Sequence, residues 1–107
     1  AAERYAQIAD HIGLGGTTTA EKVDALIAEL RSMNDQLDIP QAIKFYGAGG
    51  VKAETSIIDE AEFLEKLPTV AANAIGDACT GSNPRQPSQE EMEKLLKACY
   101  YDLEIDF

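Results

Sequence analysis

The chain has 107 residues, 45% of them hydrophobic, and a formal charge of −10 from 19 Asp plus Glu against 9 Lys plus Arg. That length is one small domain or a piece of a larger one, and the apolar content is enough for a core and argues against wholesale disorder. The acidic balance, with no Lys/Arg run, argues against nucleic-acid binding and against adsorption to anionic membrane, since both need a basic face.

Taken in order, residues 2–12 place Tyr5, Ile8, Ala9 and Ile12 on one face at helical spacing, and Gly13 fits the C′ position that ends the helix. His11 lies in the last turn, where a cation is favourable, and reads as a surface histidine rather than a metal ligand or base. The chain opens on Ala1-Ala2-Glu3-Arg4-Tyr5, without an initiator Met and as if inside a helix, which suggests a fragment or processed product. Thr18 and Glu21 match the capping box ahead of a second helix. Its stripe of Val23, Leu26, Ile27, Leu30, Met33 and Leu37 is expected to pack in the core. Ile39-Pro40 stops it.

Residues 41–46 fit either a turn of helix or extended chain. Gly47-Ala48-Gly49-Gly50 lacks the spacing of a phosphate-binding loop, so residues 47–56 are expected to form a flexible surface loop. Asp59 caps the next helix, with Glu62 as its expected reciprocal partner, and Pro68 falls where a further helix could begin. From there Val70, Ala71, Ala74, Ile75 and Ala78 make a small-residue face, expected on a buried central helix. Residues 78–88 are a punctuated connector with Cys79 at its start. Ser88 and Glu91 form a third capping box, and Met92, Leu95, Leu96 and Cys99 the stripe of the last helix, with Cys99 expected in the core. Residues 101–107 alternate apolar and acidic and suggest an extended segment.

The pattern is all-α, four to five helices with no sheet. Cys79 and Cys99 carry no metal-ligand spacing, and in an acidic, helix-rich chain they read as cytosolic thiols, although a disulfide stays open. No apolar run approaches the ~20 residues of a membrane span, and no signal peptide is visible. The expected location is cytoplasmic.

Cys79-Thr80-Gly81-Ser82-Asn83-Pro84-Arg85 resembles the C-T-G-x-N-P-R stretch near the end of iron-containing (group III) alcohol dehydrogenases. Arg4 through Ala9, Leu37-Asp38-Ile39-Pro40 (the family's L-G-I-P) and Phe63 through Ala78 agree in order. The resemblance covers most of residues 1–101; the stretch 47–58 looks like an insertion, and residues 102–107 have no assigned counterpart. It implies that residues 1–107 are the distal part of a dehydroquinate synthase-like helical domain within a larger two-domain enzyme, single-function or the alcohol dehydrogenase part of a bifunctional aldehyde–alcohol dehydrogenase. Such an enzyme interconverts primary alcohols and aldehydes with Fe(2+), or Zn(2+), held by one Asp and three His, and with NAD or NADP.

The only histidine is His11, so the ligands and the dinucleotide site are expected upstream of Ala1, and the chain alone is expected to be inactive. Catalytic, cofactor-binding and metal residues are therefore expected to be absent from this segment. The expected partners are the upstream part of the same enzyme and a small alcohol or aldehyde, in a homo-oligomeric parent. Cys79 is carried over as lining the substrate pocket; Asn83 and Arg85 are expected to fix the loop rather than touch substrate. Two other readings compete: an acidic, non-catalytic helical interaction module, and a segment that self-associates through apolar surface meant for the missing remainder.

Overall fold

The computed structural model describes residues 1–107. It contains four α-helices, α1 (Ala2–His11), α2 (Thr19–Gln36), α3 (Glu60–Gly76) and α4 (Gln89–Tyr101), three single turns of 3-10 helix, and no strand beyond an isolated bridge between Tyr46 and Lys52. The all-α expectation holds. The chain divides into two compact units, Ala1–Ile39 and Pro40–Phe107.

The first unit is a helical hairpin. Ala6 and Ala9 of α1 are buried, as is Leu26 of α2, and the small side chains of the two alanines let the helices approach closely. Lys22 Nζ reaches Asp10 Oδ1 at 2.8 Å across the hairpin. The Thr18–Glu21 capping box forms: Glu21 N–H donates to Thr18 Oγ1 at 3.2 Å, and Glu21 Oε2 accepts from the backbone N–H of Thr17 and Thr18. The backbone N–H groups of Thr18 and Thr17 hold the Glu21 carboxyl below its ordinary value.

Both helices of this unit end in the same way. Leu14 N–H returns to Ala9 O at 3.0 Å across Gly13, and Ile39 N–H returns to Asn34 O at 2.8 Å across Asp38. Each is a Schellman ending with a left-handed C′ residue, Gly13 at φ 75° and Asp38 at φ 55°. So α2 stops three residues before Ile39, at Gln36.

The stripe of α2 does not pack as expected. Only Leu26 is buried; Ile27, Leu30, Met33 and Leu37 are 46–66% exposed. Periodicity reports that a face is apolar, not what covers it.

In the second unit, residues 43–58 are more ordered than a flexible loop. Ile43–Phe45 form a 3-10 turn. Gly47 N–H then donates to Val51 O (2.8 Å), Ala53 N–H to Phe45 O (2.9 Å) and Ile57 N–H to Tyr46 O (3.0 Å), which folds the stretch into a small hairpin. A Cβ at Gly47 would lie 2.6 Å from that of Ala53, so only glycine lets the two arms close. Ser56 Oγ fixes the exit, donating to Ile43 O at 2.9 Å and accepting from Ile58 N–H at 3.0 Å.

The two helices expected between residues 59 and 78 are one. Pro68 lies inside α3 rather than at the start of a new helix. Proline cannot donate to the carbonyl four residues back, which normally weakens a helix interior. Separately, Gln89 Nε2 of the neighbouring helix donates to Pro68 O at 3.0 Å, a contact between α4 and the middle of α3. Asp59 caps α3 as expected, accepting from Glu62 N–H at 3.1 Å, but the Glu62 carboxylate pairs with Lys66 rather than completing a box. Nor is α3 a fully buried helix: Leu67 and Ala71 are buried, while Leu64 and Val70 are exposed.

Helix α4 runs antiparallel to α3, since Gln89 at its start meets the middle of α3 and Tyr100 at its end meets the start of α3. The Tyr100 ring stacks on Phe63 at 4.2 Å between centroids, and its hydroxyl donates to Ile58 O at 3.0 Å. Burial pushes the Tyr100 phenol up. Tyr101 donates to Glu60 Oε1 at 2.5 Å, and that bond pushes its phenol up to about 12. Met92, Ala98 and Tyr100 are the buried residues of α4. Cys99, expected in the core, is exposed: it follows Ala98 by one position, and one position on a helix turns a side chain by ~100°.

Candidate functional site

The connector joining α3 to α4 is fixed by its own side chains. Helix α3 ends at Gly76, two residues earlier than the sequence pattern suggests, so Cys79 lies in the connector, three residues past the helix rather than at the junction. Asp77 makes the exit. Its carboxylate accepts from Cys79 N–H at 2.8 Å and its carbonyl from Thr80 N–H at 3.1 Å. Thr80 Oγ1 reaches back to Ala74 O at 2.6 Å, tying the connector to α3. Residues Thr80–Ser82 form a 3-10 turn, with Ser82 Oγ donating to Cys79 O at 2.7 Å.

Gln86 gathers the turn. Its carboxamide N–H groups lie 3.1 Å from Thr80 O, 3.2 Å from Gly81 O and 2.8 Å from Asn83 O. Asn83 donates to Arg85 O. Arg85 binds Glu91 Oε1 at 2.6 Å and Phe107 O at 2.7 Å. Glu91 in turn closes the second capping box with Ser88. The Ser88 N–H, and after it Arg85, hold the Glu91 carboxyl below its ordinary value. Asn83 and Arg85 therefore fix the loop, as expected. Gln86 is the member that sequence reasoning passed over; a carboxamide between two prolines in a turn was its only signal.

Cys79 joins this network through its backbone, and its thiol is exposed. With N–H and C=O both committed, the backbone of Cys79 is held in place, and no base is paired with its thiol. That arrangement suits a lining group rather than an activated nucleophile. Cys99 is likewise a free thiol.

The residues present do not fit the metal set that the resemblance implies, one Asp and three His. His11 is the single histidine and is exposed, and no three His, Cys, Asp or Glu side chains gather closely enough to hold an ion. A separate apolar cavity of about 310 Å³ lies within the second unit, lined by Ile43, Ile57, Phe63, Leu67, Val70 and Leu96, with Glu62 and Lys66 also on its wall. No helix is long and apolar enough to cross a membrane.

The sequence pattern of the Fe-containing alcohol dehydrogenase family, C-terminal part, matches residues 1–100, and the chain belongs to that family. It is 45% identical over 105 residues to an NADPH-dependent butanol dehydrogenase of Clostridium saccharobutylicum, covering 98% of this chain and 24% of that protein. It is 38% identical over 103 residues to the bifunctional aldehyde-alcohol dehydrogenase AdhE of Escherichia coli K12, covering 94% of this chain and 10% of that protein. An alcohol dehydrogenase of Thermococcus barophilus is 32% identical over 102 residues, 95% of this chain and 22% of its own length. The chain thus spans a quarter or less of these relatives. None of their names points to a non-catalytic interaction module.

Proposed function

We propose that residues 1–107 are the distal helical segment of a two-domain, iron-dependent, NAD(P)-linked alcohol dehydrogenase that interconverts primary alcohols and aldehydes in the cytoplasm. The family match over residues 1–100 carries this reading. Iron, or zinc, and the dinucleotide are held by other residues of the parent, a division supported by the poor fit of this donor set. Cys79 forms part of the wall of the substrate cleft, supported by its exposed thiol on a turn braced from both sides. The upstream part of the same polypeptide is the chain's partner, and the assembled parent is a homo-oligomer.

The test uses the parent enzyme with Cys79→Ser and Cys79→Phe. Cys79→Ser leaves the reaction running, because the thiol is not a nucleophile. Cys79→Phe raises KM for the alcohol about tenfold or more and narrows the accepted chain length, with metal content and dinucleotide affinity unchanged. An unaltered alcohol profile in Cys79→Phe rejects the wall assignment. Nicotinamide-linked alcohol oxidation by residues 1–107 alone, with added iron, rejects the division of labour.

A further inference from the structure

The chain doubles back after α4. Asp102 adopts a left-handed conformation at φ 59°, and Leu103 N–H closes on Ala98 O at 3.1 Å, the same ending as in α1 and α2. The residues beyond it line a cleft together with Lys94 and Lys97 of α4: Leu103, Glu104, Asp106 and Phe107 form its other side. At the far end Phe107 meets Arg85, with Arg85 Nη1 2.7 Å from Phe107 O and the guanidinium 5.6 Å from the ring centroid. The reach is consistent: Glu91 to Tyr101 rises about 15 Å along the helix, and residues 103–107, extended, span at most ~17 Å.

We infer that residues 103–107 are a strap, acidic against the lysines of α4, that locks Arg85 and through it the Cys79 turn. Arg85 is the shared element. One arm of its fork grips the strap and the other grips Glu91, which holds the Ser88 N–H at 2.8 Å. Its carbonyl anchors Asn83, whose own carbonyl is held by Gln86. A planar guanidinium can satisfy two partners at once in fixed directions, which an ammonium cannot. Releasing the strap frees one arm of Arg85 and leaves the turn between residues 79 and 88 with less to restrain it. The wall of the proposed cleft would then be set by the state of the tail. The strap stands on these contacts and not on the role given to Cys79.

Amide hydrogen exchange read by mass spectrometry tests this on the parent enzyme, on a variant lacking residues 103–107, and on Arg85→Gln and Arg85→Lys. Removing residues 103–107 takes away the main-chain acceptor of Arg85 and speeds exchange at Ser82, Asn83 and Ser88 several-fold while the amides of Leu67 and Ala71 in α3 are unchanged. Arg85→Gln speeds the same loop amides further, and Arg85→Lys falls between it and the unaltered enzyme. Loop amides that do not respond to loss of residues 103–107 overturn the strap, as does an equal acceleration throughout α3 and α4. A measurement free of substitutions is ionic strength. From about 0.01 M to about 1 M salt the screening length falls from ~30 to ~3 Å, so the loop amides of the unaltered chain accelerate relative to α3, and a loop indifferent to salt overturns the inference.

Discussion

Three left-handed residues end three helices here, and two of them are aspartates. Gly13 adopts that conformation without penalty, whereas Asp38 and Asp102 bring a Cβ into a region that disfavours it by about 1 kcal/mol. Asp38→Gly is therefore expected to stabilise the first unit by about 1 kcal/mol in urea unfolding, and Gly13→Ala to destabilise it by a similar amount. No change in the midpoint for Asp38→Gly counts against strain at that position. Gly13 was legible because glycine is the usual C′ residue. Asp38 was not, because Pro40 supplied a sufficient reason for the helix to stop. Aligning Leu37-Asp38-Ile39-Pro40 with L-G-I-P held the missing clue, an aspartate in a glycine's place. The end of α3 was read two residues too late for a related reason: the Asp77 carboxylate bonds Cys79 N–H where the helix ends, a local competition that apolar spacing does not register.

At the scale of elements, the caps were the most legible features. Thr18–Glu21 and Ser88–Glu91 are local in sequence, so a four-residue pattern determines them and no distant partner is needed. Their contribution is pH-dependent with a definite sign. Both carboxyls lie below their ordinary 4.5 when folded, so the stabilisation is complete above that value and is lost as pH falls through the lowered folded values. Helical circular dichroism should decline on acidification below about pH 4.5, and Glu21→Gln with Glu91→Gln should flatten that decline; a double variant with the same acid profile contradicts the assignment. Ser88→Ala should cost about 1 kcal/mol. Pro68 shows the opposite case. Its position resembles a helix start, and no local pattern records that α3 continues through it.

At the scale of the whole molecule, the sequence conveyed which faces are apolar but not which are covered. Tyr5 and Ile8 of α1, Ile12 just after it, Ile27, Leu30 and Met33 of α2, and Leu37 just after it remain exposed although their spacing is that of a core. Exposed apolar side chains that group on a helix face favour association. The chain in isolation is thus expected to associate with itself as concentration rises. Ile27→Glu with Leu30→Glu should return it to a monomer in sedimentation velocity without loss of helicity; a chain monomeric at every concentration contradicts that. The division into two units has a consequence in time. Residues 1–39 and 40–107 are each an unbroken run of chain. Within the first unit, α1 and α2 are joined by the short turn from Ile12 to Thr18. Closing a loop of that size takes on the order of 100 ns or less, and folds dominated by local contacts form fast. On a ribosome the α1–α2 hairpin can therefore be complete while α3 and α4 are still being synthesised, and it presents its apolar stripe to whatever has already emerged before it.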